Sequence, residues 1–203
     1  FTPVINLAFH PMVLAVHPAV PVRSVPEFIA AARARPGGLT MVSSGVGTSS
    51  HLVTALFAQS VGIALTHVPF NGAAPAQAAI LGGQVQAGFL NATIAVAPIQ
   101  SGALRGLAVT AERRWRDLPE VPTMPELGHA GVLAGSWYGV LAPAGLPAAL
   151  RDRIHADLAA ALAQPALRTR IMAAGLDPID VGPEAFAAQL AAELATWTRV
   201  VRE

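Results

Sequence analysis

The residues best suited to chemistry form one segment, Ser43-Ser44-Gly45-Val46-Gly47-Thr48-Ser49-Ser50-His51, between an apolar run and a periodic one. Such a junction reads as a strand, a tight loop and the first turn of a helix. Two glycines allow the backbone to approach a ligand closely, and hydroxyls cluster where the helix starts. That first turn offers unpaired N–H groups and about half a positive charge, a suitable seat for a carboxylate. Asn71-Gly72 precedes the next periodic segment and Asn91-Ala92-Thr93 the one after it, repeating the arrangement. The candidate ligand set is therefore Ser43, Ser44, Gly45, Gly47, Thr48, Ser49, Asn71, Asn91 and Thr93, all neutral hydrogen-bonding groups. Three such loops after strands of a parallel sheet gather along one edge, where open α/β sheets bind their ligands.

Plainer roles compete with this one. Thr48 or Ser49 could be an ordinary N-cap, and Asn71 and Asn91 ordinary turn residues. His51 suits packing or capping, and His67 lies inside an apolar strand. Gly45-Val46-Gly47 is no dinucleotide fingerprint, because Ser50 holds the third glycine position, and a phosphate-binding Walker loop would need a lysine. A hydrolase using Ser49 or Ser50 with His51 or His67 is the rival from another class. It lacks a Gly-x-Ser-x-Gly elbow and a nearby acid to orient the imidazole.

The absence of that acid is general. From Pro36 through Leu104, 69 residues, there is no Asp, Glu, Lys or Arg, whereas about a quarter of an average globular sequence is charged. Such a stretch needs cover from another domain, another subunit or a ligand cleft. It also excludes paired-carboxylate hydrolysis and lysine chemistry within it. The chain has no cysteine, so disulfides, thiolate catalysis and Cys-ligated metals are out. His10, His17, His129 and His155 have no metal-ligand spacing; no metal and no cofactor is expected. Thirteen basic residues, all arginine, balance twelve acids to a net charge of +1. None forms a basic stripe for nucleic acid. The longest apolar stretches are interrupted by Pro, Gly, Gln or His, short of the 18 or more residues of a membrane span.

The elements that must position these residues alternate. Strands are expected at 11–16, 39–43, 65–68, 85–90 and 104–110. Helices should cover 24–35, opened by the capping box Ser24-Val25-Pro26-Glu27, then 48–61, 73–81 and 93–101. This alternation predicts an α/β unit with a mostly parallel sheet. Beyond Thr110 the expected elements are a loop through Arg113, Arg114 and Arg116, one short helix within 122–128, and a strand at 137–142. An amphipathic helix at 147–163 carries Leu150, Ile154, Leu158 and Leu162 in one row. A helix at 167–174, a strand near Ile179 and a last helix from Gly182-Pro183-Glu184 to Val201 complete the chain. Trp137 and Tyr138 are expected in the core.

In order along the chain, these segments match a known pattern. They are Pro11-Met12-Val13-Leu14-Ala15-Val16-His17-Pro18, the Ser24-Val25-Pro26-Glu27-Phe28 helix start, the 43–52 loop, and His67-Val68-Pro69-Phe70-Asn71-Gly72. There follow Leu81-Gly82-Gly83-Gln84-Val85, Leu104-Arg105-Gly106-Leu107-Ala108-Val109-Thr110, Leu118-Pro119-Glu120-Val121-Pro122-Thr123, Ser136-Trp137-Tyr138-Gly139-Val140-Leu141-Ala142-Pro143-Ala144-Gly145 and Trp197. The chain resembles the tripartite tricarboxylate transporter substrate-binding proteins, also called Bordetella uptake (Bug) receptors.

The resemblance implies a two-lobed, periplasmic-binding-protein-like α/β flytrap of type II. Residues 7–128 would be lobe two, and 129–203 a hinge strand with the C-terminal helices of lobe one. The N-terminal portion of lobe one would be absent, and Phe1-Thr2-Pro3-Val4-Ile5 indeed carries no signal-peptide features. The implied activity is reversible capture of a small organic acid, a di- or tricarboxylate or an aromatic carboxylate, in the periplasm. Membrane permease subunits would be the partner, and a homo-oligomer of the truncated chain is an alternative way to cover the uncharged face. Loop 43–49 and Asn91 would face the ligand. The family often has Asp at Gln86, Asp-Asn at Leu90-Asn91 and Tyr-Lys-Gly at Phe70-Asn71-Gly72. The loss of those charges suggests an acid without an amine.

Overall fold

A computed structural model describes residues 1–202 and divides them into two compact units. One is Pro11–Gly135; the other joins Phe1–His10 to the residues from Ser136 onward. Both share the first strand, β1 (Thr2–Val16), which is 15 residues long where a short strand at 11–16 was expected. Asn6, Ala8 and Phe9 pair antiparallel with β7 (Asp177–Val181), and from Met12 onward the strand has other partners. Pro11, which has no N–H to give a ladder, stands at the change. That pairing puts residues 7–10 in the unit that continues from Ser136. At the other end, residues 129–135 stay in the Pro11–Gly135 unit: Ala134 N–H donates to Thr110 O, and Thr110 Oγ1 donates to Ala134 O.

The Pro11–Gly135 unit has a five-stranded sheet in the order β3-β2-β4-β1-β5, with β2 (Thr40–Ser43), β3 (Thr66–Pro69), β4 (Ala87–Asn91) and β5 (Arg105–Val109). Strand β2 is parallel to both β3 and β4. Strand β1 is antiparallel to β4 and β5, so the expected mostly parallel sheet has one reversed strand near its middle. Alternation of strands and helices does not fix that direction: eight residues, 17–24, separate β1 from its helix, enough to bring the chain back from either end.

Helices α1 (Val25–Ala34) and α2 (Ser49–Val61) cover one face, where Phe28, Val53 and Phe57 join Met12, Leu14, Met41 and Phe89. Helices α3 (Ala73–Leu81) and α4 (Ala92–Gln100) cover the other, where Ala76, Ile80, Ala92 and Ala95 meet Val13, Val42 and Leu90. Strands sandwiched on both sides become continuous apolar runs. That accounts for much of the charge-free stretch, since β2 and β4 are almost wholly buried.

The expected capping box opens α1: Ser24 Oγ accepts from Glu27 N–H at 3.3 Å, and Glu27 Oε2 accepts from Arg23 N–H at 2.7 Å. In the other unit, β6 (Gly135–Ala142) and β7 pair with β1, beside α5 (Ala148–Leu162), α6 (Pro165–Ala173) and α7 (Pro183–Arg202). Its buried residues include Val4, Ile5, Leu162 and Phe186. Trp137 meets Phe186 edge-on at 5.1 Å and donates through Nε1 to Glu193. Tyr138, expected in the core, is half exposed, because successive residues of a strand point to opposite faces.

Gly88 is closely packed in the sheet, opposite Val42 on one side and Ala15 on the other. A Cβ there would overlap Val42 Cγ1 and stand 3.3 Å from Val42 O. Gly88→Ala is expected to destabilise the chain by about 1–3 kcal/mol, read as a lower urea midpoint at unchanged slope.

Candidate functional site

Because β2, β3 and β4 run the same way, their C-terminal ends reach one edge, and the starts of α2, α3 and α4 follow there. Ser43, Ser44, Ser50, Ala73, Ala76, Phe89, Leu90, Asn91 and Ile94 line a small cleft of about 20 Å³, open to solvent. The strand-end residues Ser43 and Ser44 thus share a wall with Asn91. No lining residue is charged.

All three helices start without a side-chain cap. Thr48, Gly72 and Asn91 are the N-cap residues of α2, α3 and α4, and none accepts from its helix. The capping role considered for Thr48 is therefore not what it does: its Oγ1 donates to Gly45 O at 2.7 Å and lies 3.1 Å from Ser50 Oγ. The first-turn N–H groups are left for other acceptors, with the positive end of each helix dipole behind them.

The loop before α2 is shaped from within. Gly45 and Gly47 have φ of +139° and +77°, a region that side chains with a Cβ rarely enter. Ser50 Oγ accepts from Ser44 N–H at 3.0 Å and meets Ser44 Oγ at 3.1 Å. Phe70 N–H donates to Ser43 O and Gly72 N–H to Ser44 O, tying the loop to the β3–α3 connection. His51 and His67 stack with centroids 4.0 Å apart and planes 12° from parallel. His51 Nδ1 accepts from Gly47 N–H at 3.1 Å, and His67 Nε2 lies 2.5 Å from Ser43 Oγ. Burial first, and the adjacent His51 second, hold the His67 ring below the ordinary imidazole value.

Of the candidate set, Ser43, Ser44 and Asn91 line the cleft, while Gly45, Gly47 and Thr48 shape the loop. Ser49 is exposed at the first helical position. Asn71 is exposed, just ahead of the N-cap glycine. Thr93 is exposed one residue inside α4; β4 runs directly into that helix, so Asn91 and not Thr93 ends up at its start. Ser50 was missed as a wall residue, although it belongs to the same hydroxyl cluster. Its spacing from Ser44 carries no signal until the loop folds back.

The seats of the missing charges also differ. Leu90 lines the cleft, so its apolar character does remove charge from the site. Gln86 does not: its Oε1 accepts from Thr40 N–H at 2.9 Å, at the opposite end of β2 from Ser43. Gln86 therefore says nothing about an amine.

The family model described as tripartite tricarboxylate transporter family receptor matches residues 1–203. The chain belongs to that family. The chain is 34% identical over 193 residues to Protein BugT of Bordetella pertussis, covering 95% of itself and 59% of that relative. Among solved structures it is similar to R. palustris Rpa4515 with adipate, at TM-score 0.84 and 34% identity, covering 100% of this chain and 68% of that one. It is also similar to MatC from Rhodopseudomonas palustris with bound malate, at TM-score 0.83 and 29% identity, covering 99% and 69%. The receptor chain thus has the family's α/β fold in part, and spans 59% to 61% of the length of its curated relatives BugT and the protein of the tcbD-tcbE intergenic region of Pseudomonas sp.. Among the described residues, no helix is long and apolar enough to cross a membrane.

Two outcomes follow for this chain. Ser50→Ala leaves the half-buried Ser44 N–H without its acceptor and is expected to cost about 1 kcal/mol, visible as a lower urea midpoint. Acidification acts through His67. Its folded-state affinity for a proton is lowered, so the unfolded chain takes the proton first. The stability contributed is complete above the ordinary value of 6.5 and is lost as pH falls through the folded value. Thermal melting followed from neutral to mildly acid pH should show a decline that His67→Gln reduces.

Proposed function

We propose that the cleft at the ends of β2, β3 and β4 seats one carboxylate of a small organic acid. The whole protein would be a periplasmic receptor that binds without catalysis and delivers the acid to membrane permease subunits of a tripartite tricarboxylate-type transporter. In this reading Pro11–Gly135 is the second lobe of the receptor. The single observation that carries it is the meeting of three uncapped helix starts around a hydroxyl-lined, uncharged cleft. Each N–H to a carboxylate oxygen is a charge-assisted bond, stronger than a neutral one. Leu90 and Ile94 supply apolar wall, suited to the carbon skeleton of the acid. Relatives with adipate and with malate make organic acids the first candidates.

The hydrolase alternative is disfavoured by the same geometry. Ser50 is 6% exposed, with its hydroxyl engaged by Ser44 and Thr48. The imidazole of His67 faces Ser43 instead, whose exposure is 1%. Neither hydroxyl is free to attack a substrate, and for the exposed Ser49 both candidate imidazoles are engaged elsewhere, His51 with Gly47 and His67 with Ser43.

The test is calorimetric titration with adipate and malate, and with the neutral diamide of adipate as a shape control. Binding of an acid and not of the diamide is expected. Asn91→Asp, which keeps the shape and adds a negative charge, should weaken capture by at least about tenfold, as like charges in contact cost several kcal/mol. Equal binding of the diamide, or an unaffected Asn91→Asp variant, would rule the reading out.

A further inference from the structure

The loops leading into α2 and α3 are tied to each other by backbone bonds, from Phe70 N–H to Ser43 O and from Gly72 N–H to Ser44 O. Helix α4 is joined to α3 by a side chain. Gln77 Nε2, on α3, donates to Ile94 O in the first turn of α4 at 2.7 Å, in a half-buried setting. A carbonyl inside a helix ordinarily accepts from the N–H four residues on. For Ile94 that residue is Pro98, inside α4, which has no N–H to give. The proline thus frees an acceptor on a residue of the cleft wall, and the glutamine takes it up.

The bond bridges the two apolar sides of the cleft. Ile94 lines it, one turn after Asn91, which also lines it. Gln77 follows Ala76 and stands one turn beyond Ala73, the two residues that α3 contributes to the lining. The distance between these pairs sets how wide the cleft is where the first turns of α3 and α4 face it.

We propose that Gln77 is a positioning residue for acid capture: by clamping the carbonyl that Pro98 leaves free, it holds α4 against α3 at the spacing that receives the carboxylate. This rests on the carboxylate reading of the cleft. Without the clamp, α4 can settle at more than one distance from α3, and the incoming acid must restore the competent one. Apparent affinity then falls with the fraction of chains already so arranged. The fall is bounded by the strength of the lost bond, about fivefold for a typical one.

The test uses the chain as it stands, with adipate as the probe, calorimetry for affinity and urea unfolding of the ligand-free chain for stability. Gln77→Met keeps the length of the side chain and its helix propensity but removes the donor. It should lower the urea midpoint, because Ile94 O loses its partner, and weaken adipate binding about fivefold. Adding Pro98→Ala gives Ile94 O a donor within α4. The double variant should therefore recover the urea midpoint and still bind adipate about fivefold more weakly than the unmodified chain, since nothing ties α4 to α3. A role in stability alone would restore affinity together with the midpoint. An unchanged midpoint in Gln77→Met, an unchanged affinity in Gln77→Met, or a double variant that regains full affinity overturns the proposal and leaves the carboxylate reading standing. Failure of the unmodified chain to bind adipate or malate overturns that reading, and with it this role for Gln77.

Discussion

An anion can be held without a cation only where several fixed dipoles converge on it. Burying an isolated carboxylate is costly, and a single helix start offers about half a charge. The architecture of the Pro11–Gly135 unit answers that requirement. Three parallel strands, β3, β2 and β4, deliver three helices to one edge, and their uncapped first turns surround a shared cleft. The lack of any Asp, Glu, Lys or Arg from 36 to 104 is the companion constraint: no side-chain charge competes with the backbone for what binds there.

The loop 43–51 shows how much local structure that arrangement needs. An uncapped helix start facing water is mobile in its first turn, so something other than a cap must hold it. Here Thr48 ties back to Gly45, Ser50 to Ser44, and His51 to Gly47. Side chains that would elsewhere cap the helix are spent on the loop, which leaves the helix N–H groups available. The two glycines with positive φ make that path sterically possible.

Much of this was legible in the sequence. Apolar periodicity placed the strands and helices of 24–110 to within a few residues, because each is either sandwiched or amphipathic. The loop 43–51 stood out through hydroxyls and glycines between two periodic segments. What escaped had physical causes. The first half of β1 has no turn signal before it, and Pro11 resembles a strand start although it only marks a change of partners. The direction of β1 depends on tertiary pairing. Thr93 was taken as a helix start because β4 and α4 abut with no loop between them, and Ser50 joined the wall through a fold-back that spacing does not encode. Gln86 resembled a vanished charge at the site, yet register sets it at the other end of β2, bonded to Thr40.

Family membership gives the fold, while the local geometry says which atoms would meet the proposed ligand. The central claim is that backbone N–H groups, and no side-chain cation, receive the carboxylate. Amide chemical-shift mapping during titration with adipate, against chloride at equal ionic strength, tests this most directly. The account predicts the largest, saturable shifts at the amides of residues 49–51, 73–74 and 92–94. Saturable shifts centred elsewhere, such as on the arginines at 113–116 with the three helix starts unmoved, would contradict it.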